Sequence, residues 1–178
     1  MEDSTLKEFN ILATSSRGFE RYARSELRFL FEKIGDASPA IERTGVSGLI
    51  AVKTNVDAIE AIRLLRALLE QSPYEFRFTL RIIPIEKIVG TKLEMIQQAV
   101  IELISRIKEN ETFRVTVEKR FTTIHSKEII EKVAAAIKRK VNLTNPDKVV
   151  LIEVVGALTG VSILSPQDIL SVQKEKLL

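Results

Sequence analysis

The stretch Phe113–Lys140 reads FRVTVEKRFTTIHSKEIIEKVAAAIKRK and contains the clearest local order in the chain. It begins with apolar residues at every second position, Phe113, Val115 and Val117, which is the pattern of a half-buried β-strand. Farther on, apolar residues recur three and four positions apart, as on one face of a helix. These residues are Ile129, Ile130, Val133, Ala134, Ile137 and Val141. The stretch therefore predicts a strand, a polar turn and a helix, with Ser126 as the N-cap.

Positive charge is concentrated in the same part of the chain. Residues 113–148 include nine Lys or Arg and four acidic residues, a net charge of +5, whereas the whole chain of 178 residues has a net charge of only +3. A cation pair at a strand end, hydroxyls in the turn and a helix N-terminus together suit a phosphate group. A solvated strand end followed by an ordinary capped helix stays open as the alternative. We expect the side chains of Lys119 and Arg120 to leave the sheet at its end, so that their replacement costs little stability.

The composition is that of a folded globular chain, with 45% apolar and 29% charged residues. The chain has no cysteine and a single histidine, His125, which excludes a disulfide framework, a thiolate nucleophile and most zinc sites. Its N-terminus does not have the pattern of a secretory signal, and no apolar run is long enough for a membrane span. The modest net charge argues against a protein that coats DNA. We therefore expect a cytoplasmic protein without a metal or cofactor.

Residues 9–15, FNILATS, predict a strand that leads into an amphipathic helix, with Gly35 just beyond the helix end. The polar face of this helix carries two acidic and four basic residues. They are Glu20, Glu26, Arg17, Arg21, Arg24 and Arg28. We interpret them as solvated ion pairs between residues four apart, rather than as a binding site.

The rest of the first half completes a recognisable order of elements. Residues 40–54 contain two glycines between short β-branched runs and predict a hairpin, not a phosphate loop, because no helix follows them. A second helix is capped by Asn55 or Asp57, and residues 74–85 alternate as a strand. The order βαββαβ is that of the ferredoxin-like fold. We assign a ferredoxin-like domain to residues 1–75.

The second half predicts the order α, β, α, β, β. Residues 92–108 form a helical stripe, the strand and helix of the opening stretch follow, and the run VVLIEVV at residues 149–155 is typical of a central strand. A return strand and a short final helix beginning at Pro166 complete the chain. This half is an α/β arrangement with one sheet covered by helices, and the chain as a whole belongs to the α+β class.

No motif of a known catalytic machinery is present in the sequence. GxSxG, a Walker loop and GxGxxG are absent, and His125 is the only candidate imidazole base. We therefore expect no catalytic residues. A small ferredoxin-like phosphatase or a ligand-binding regulator stays open as the alternative class, because the same fold supports both.

The second half resembles the THUMP domain, an RNA-binding module. The resemblance rests on the order of RIIPI, FRVTVEKR, TTIHSKEII, NPD before VVLIEVVG, and TGVSIL. In the first half, NILATSSRGFERYARSEL is similar to the N-terminal ferredoxin-like domain that accompanies THUMP. The similarity covers essentially the whole chain. It implies a ferredoxin-like domain over residues 1–75 followed by an α/β THUMP RNA-binding domain over residues 76–178.

A chain with these two modules and no catalytic domain resembles the THUMP-only tRNA-binding adaptors of archaeal type. The resemblance implies a non-catalytic protein that presents the acceptor end and 3′ CCA of tRNA to a modifying enzyme, a cytidine N4-acetyltransferase. It implies phosphate contacts from lysine and arginine side chains and polar contacts from the turn. The implied tRNA-binding residues are Lys119, Arg120, Thr122, His125, Ser126, Lys127, Arg81 and Gly160. The implied partners are tRNA and the acetyltransferase, with neither DNA nor a membrane involved.

Overall fold

A computed structural model describes residues 8–177 of the chain. Within these residues it contains ten strands and five α-helices. In chain order they are β1 (Ile11–Ser15), α1 (Glu20–Lys33), β2 (Ala40–Arg43), β3 (Leu49–Lys53), α2 (Ala58–Gln71), β4 (Thr79–Pro84), β5 (Lys87–Gly90), α3 (Leu93–Leu103), β6 (Thr112–Arg120), α4 (Ser126–Ala134), β7 (Lys140–Val141), β8 (Lys148–Val155), β9 (Leu158–Leu164), β10 (Leu170–Ser171) and α5 (Val172–Lys176).

The chain divides into two compact units. The N-terminal unit extends to Ile85 and also includes the segment from Asp168 onward, whereas residues 86–167 form the C-terminal unit. This division differs from the boundary after residue 75 that the sequence predicts. The reason is that β4 extends to Pro84 and pairs with β1, so it completes the first sheet instead of joining the second.

The N-terminal unit has a five-stranded sheet in the order β10-β4-β1-β3-β2, and all its paired strands are antiparallel. Its first six elements follow the βαββαβ order predicted from the sequence. The apolar stripes of α1 and α2 share one buried cluster with the sheet. Asp57 caps α2 by accepting a hydrogen bond from the Glu60 N–H at 3.0 Å. The helix spacing in the sequence therefore predicts most of the core of this unit, although Phe19 and Tyr22, which share the spacing of α1, are 45% and 55% exposed.

Two segments of the N-terminal unit differ from the prediction. The alternating segment from residue 74 becomes a strand only at Thr79, because Pro73–Glu75 form a turn of 3₁₀ helix. The final segment is not one helix from Pro166. Instead, β10 pairs with β4 through Leu170, which is fully buried opposite Ile82, and only the short α5 follows. Burial of this leucine in a sheet edge outweighs the helical spacing of its neighbours.

The C-terminal unit has a second five-stranded sheet in the order β5-β9-β8-β6-β7. As predicted, β8 is central, and all its residues after Lys148 are buried. β6 runs parallel to β8, whereas β9 is antiparallel to both of its neighbours. The connection from β6 to β8 contains α4, whose buried Ile129 and Val133 share a cluster with α3 and the sheet. The carboxyl ends of β6 and β8 therefore lie side by side at one edge of the sheet.

The turn between β2 and β3 depends on the absence of a side chain at Gly48. This residue has a φ of +73°, and a Cβ built there would lie 2.7 Å from the carbonyl oxygen of Ser15. The Ser15 N–H also donates to the Gly48 carbonyl oxygen at 2.9 Å, which holds the turn against β1. Gly45, in the same turn, has a φ of +81° but open space where a Cβ would be.

We expect Gly48→Ala to destabilise the protein much more than Gly45→Ala. The left-handed backbone alone costs an alanine about 1 kcal/mol, and the close approach at Gly48 should raise the loss to about 3 kcal/mol. Urea denaturation of both variants and the wild type measures the difference. Equal losses would show that a small backbone shift relieves the contact with Ser15.

Candidate nucleic-acid interface

The candidate site lies where β6 leaves the sheet. Residues 121–125 form a loop between the end of β6 at Arg120 and the start of α4 at Ser126. The N–H of Gly156, just after β8, donates to the Arg120 carbonyl oxygen at 2.9 Å, so the two strand ends are tied together. In sheets with parallel strands, ligands commonly bind beyond the carboxyl ends of those strands.

Residues 119–127 contain six of the eight predicted binding residues. Three of them, Lys119, His125 and Lys127, are exposed, whereas Thr122 and Ser126 are partly buried. The Lys119 Nζ donates to the Ile124 carbonyl oxygen at 3.2 Å, which holds this lysine over the loop. We name residues 119–127 the β6–α4 surface.

The N-cap of α4 is His125, one residue earlier than the sequence predicts. The backbone of His125 is extended, with φ −74° and ψ 140°, and helical geometry begins at Ser126. The Glu128 carboxylate accepts the His125 N–H at 3.2 Å, and the His125 carbonyl oxygen accepts the Ile129 N–H at 3.3 Å. These bonds satisfy the backbone N–H and carbonyl groups of His125, which is therefore the N-cap in place of Ser126.

Arg120 does not leave the sheet as expected from the sequence. Its Nη1 lies 2.5 Å from a carboxylate oxygen of Glu153 on the neighbouring strand β8. The Glu153 side chain is fully buried, and that of Arg120 is only 19% exposed. A carboxylate in that position requires a cation close by, because burial of an unpaired charge is very costly. Arg120 therefore stabilises the sheet edge, and Lys119 is the outward-facing member of the pair.

Two predicted binding residues are not part of this surface. Gly160 is buried in β9, in register with Ile88 on β5 and Glu153 on β8, so it is not available to contact RNA. Arg81 is a half-buried residue of β4 in the N-terminal unit. Neither belongs to the β6–α4 surface.

Phe121 is a residue that the sequence reasoning missed. Its φ is +56°, the only positive φ at a non-glycine position among the described residues, and its side chain is 75% exposed. A left-handed backbone costs a residue of this kind about 1–2 kcal/mol, and outliers of this type cluster at functional sites. An exposed ring of this size is also a surface on which a base can stack. The signal in the sequence was an aromatic residue that follows the cation pair, outside the alternating pattern.

We expect Arg120→Met to destabilise the protein strongly, because it removes the guanidinium that neutralises the buried carboxylate of Glu153. Breaking a buried pair typically costs about 3–5 kcal/mol. Lys119→Met should cost less than about 0.5 kcal/mol, since this residue is exposed. Urea denaturation measures both losses.

A double variant distinguishes the contribution of the ion pair from that of side-chain packing. Replacing both Arg120 and Glu153 by Met should recover most of the lost stability, because no buried charge is left behind. A double variant as unstable as Arg120→Met would show that the ion pair is not what Arg120 contributes.

Comparison with known proteins places the β6–α4 surface within a known domain. Residues 90–164 match the family model of the THUMP domain. This range begins at the end of β5 and closes at the end of β9, so it covers most of the C-terminal unit. No curated protein matches this chain.

Several solved structures are similar in fold. The crystal structure of PH1313 from Pyrococcus horikoshii is similar with a TM-score of 0.63 and 22% identity, covering 87% of this chain and 54% of that one. TrmN from Thermus thermophilus has a TM-score of 0.56 and 15% identity, covering 88% and 46%. SMU.472, a candidate methyltransferase solved with SAH, has a TM-score of 0.55 and 18% identity, covering 87% and 41%. This chain thus spans about half the length of these proteins, and at these identities the likeness is one of fold.

No described helix combines the length and apolar character needed to cross a bilayer. The residues that match the family model extend from the end of β5 to the end of β9 in the sheet of the C-terminal unit. Residues 90–164 of this chain are a THUMP domain, and the β6–α4 surface is part of it.

Proposed function

We propose that this protein binds the single-stranded 3′ end of tRNA through the β6–α4 surface. One observation carries the proposal: an exposed, strained Phe121 stands beside outward-facing lysines at the carboxyl edge of a THUMP domain. THUMP domains are associated with RNA binding in tRNA modification. An aromatic ring flanked by cations is the combination that binds single-stranded nucleic acid.

The predicted contacts of the surface fall into three groups: stacking, phosphate contacts and sugar contacts. The ring of Phe121 stacks on an unpaired base, while Lys119 and Lys127 contact the phosphates on either side of it. His125 and the hydroxyls of Thr122 and Ser126 contact the sugar 2′-OH groups, which distinguish RNA from DNA. Arg120 acts indirectly, since its pairing with Glu153 fixes the strand end from which the loop begins.

The biological role follows from the pairing of this domain with the N-terminal unit. The sheet order β4-β1-β3-β2, with α1 and α2 in its core, supports classifying that unit as ferredoxin-like. We propose that the protein has no catalytic role of its own and presents the acceptor end and 3′ CCA of tRNA, in the cytoplasm, to a modifying enzyme. The resemblance to THUMP-only adaptors favours a cytidine N4-acetyltransferase as that enzyme. The similarity in fold to about half of a candidate methyltransferase supports the broader idea of a module that serves a modifying domain.

We expect the double variant Lys119→Ala, Lys127→Ala to bind tRNA weakly and with a smaller salt dependence. Each phosphate contact to a single strand contributes about 0.7 to the slope of log affinity against log salt, so the slope should fall by about 1.4. Fluorescence anisotropy with labelled tRNA at several salt concentrations measures this. Lys138→Ala is the control, because Lys138 is exposed in the same unit but lies outside the surface. An unchanged slope in the double variant would show that Lys119 and Lys127 do not contact phosphates of the bound tRNA.

We expect Phe121→Ala to weaken binding without changing the salt slope, since stacking involves no release of counterions. Loss of one stacked base costs about 1–3 kcal/mol of binding free energy. The same assay, repeated with an oligonucleotide that ends in CCA, checks whether the base belongs to the 3′ end. Full affinity in Phe121→Ala would contradict the stacking role, and turnover of a phosphomonoester without tRNA binding would support the phosphatase alternative.

A further inference from the structure

The acidic residues of α1 do not form the ion pairs that the sequence suggested. The Glu20 carboxylate accepts the Gly48 N–H at 2.6 Å, and the Glu26 carboxylate accepts the N–H groups of Phe78 and Thr79 at 3.1 and 2.7 Å. Both carboxylates thus satisfy backbone donors at the β2–β3 turn and at the start of β4. The arginines on the same helix are left without acidic partners on α1.

Three of the unit's arginines converge on one cleft. Arg21 and Arg24 project from α1, and Arg43 lies at the end of β2; together with Glu20 and the β2–β3 turn they line a cleft of about 380 Å³. None of the three arginines makes an ion pair or a hydrogen bond through its side chain with any described residue. We name this the arginine cleft. It lies wholly within the N-terminal unit.

The surroundings of Arg24 show that positive charge in this cleft is only partly compensated. Its Nε is buried and has no hydrogen-bond acceptor. Burial lowers the pKa of Arg24, the positive charges of Arg43 and Arg21 lower it further, and the opposing effect of Glu20 is smaller than any of these. Repulsion and lost solvation are therefore built into the cleft, and an anion would relieve both.

The walls of the cleft are fixed before any ligand arrives. The bond between Glu20 and the Gly48 N–H ties the start of α1 to the turn. Within the turn, the Thr44 hydroxyl donates to the Leu49 carbonyl oxygen at 2.9 Å. Because both walls are held by hydrogen bonds, ordering the site on binding should cost little.

The charge of the cleft selects among anions. Three arginines and one glutamate line it, which leaves a net charge of +2. A phosphomonoester carries about −1.5 to −2 at neutral pH, whereas each internal phosphate of a nucleic acid carries a single negative charge. Guanidinium groups also match phosphate oxygens with paired N–H donors, which lysines do not provide.

We propose that the arginine cleft binds the phosphate group of a phosphomonoester, with the guanidinium groups of Arg24 and Arg43 as donors. Two sources fit this chemistry: the 5′-terminal phosphate of an RNA, which rests on the proposed function, and a small phosphorylated molecule, which does not.

The first test uses inorganic phosphate and the full-length chain. Phosphate should raise the melting temperature of the wild type above that in sodium chloride of equal ionic strength. The apparent phosphate affinity should fall about tenfold or more in Arg24→Gln and in Arg43→Gln, since each removes a charge-assisted contact. Arg63→Gln is the matched control, because it removes the same charge from an exposed position on α2 outside the cleft.

Two further comparisons distinguish a loss of phosphate binding from a loss of folding. Arg43 is exposed, so Arg43→Gln should fold even if Arg24→Gln does not. Arg24→Lys keeps the charge but loses the planar guanidinium with its paired N–H donors, and it should bind phosphate more weakly than the wild type. No effect of phosphate on the wild type, or an equal effect on the wild type and Arg43→Gln, would overturn the proposal.

The second test distinguishes the two sources. Anisotropy compares one tRNA with a 5′-phosphate and with a 5′-hydroxyl, using the wild type and Arg43→Gln. If only the wild type binds the phosphorylated tRNA more tightly, the cleft binds the 5′-terminal phosphate of the RNA. Equal binding, together with protection by inorganic phosphate, would assign it to a small phosphorylated molecule. The phosphate test needs no RNA, so it can succeed even if the proposed tRNA function fails.

Discussion

The parallel pairing of β6 with β8 is the constraint on which the candidate RNA surface depends. Eight residue pairs, from Phe113 opposite Lys148 to Arg120 opposite Val155, align the two strands in the same direction. Parallel neighbours cannot be joined by a tight turn, so the chain needs a crossover, and α4 lies within it. The crossover begins at the carboxyl end of β6, next to the carboxyl end of β8. The loop at residues 121–125 and the start of α4 are therefore held at one edge of a rigid sheet.

The position of the β6–α4 surface also depends on a buried charge in the central strand of this sheet. Glu153 lies on the central strand and is fully buried, and Arg120 neutralises it. The guanidinium is thereby turned toward the sheet, and the chain leaves the strand at the next residue. That residue, Phe121, takes a left-handed backbone and exposes its ring. The feature that best supports RNA binding thus lies directly beside the ion pair that fixes the strand end.

The two basic regions of the protein differ in their chemistry. The β6–α4 surface combines exposed lysines with an aromatic ring and hydroxyls, which suits a flexible single strand. The arginine cleft contains guanidinium groups without an aromatic residue, and its carboxylate is occupied by the backbone of the turn. A concave site with fixed walls and a net positive charge suits a compact dianion instead. The two regions lie in different units of the chain and call for different ligands.

The amino-acid sequence by itself determined the elements whose signals are local. The period-two pattern predicted β6, the helical spacing predicted α1, α2 and the start of α4, and the β-branched run predicted the central β8. The same spacing wrongly extended α4 to Val141, because the helix ends at Ala134 and Val141 belongs to β7. The order of elements in the N-terminal unit followed from these. Such patterns succeed because the residues that form a strand or a helix turn are neighbours in the chain.

Tertiary structure alone decided the features that join distant residues. The partner of Arg120 is 33 residues away on another strand, β10 returns to pair with β4, and the carboxylates of α1 bind backbone groups of the β2–β3 turn and the start of β4. The burial of Gly160 and the absence of an acceptor for the Arg24 Nε among the described residues likewise depend on residues that are distant in the chain. A charged residue in a sequence shows that a charge is present, but only the fold determines whether that charge is neutralised by a buried partner or left for a ligand.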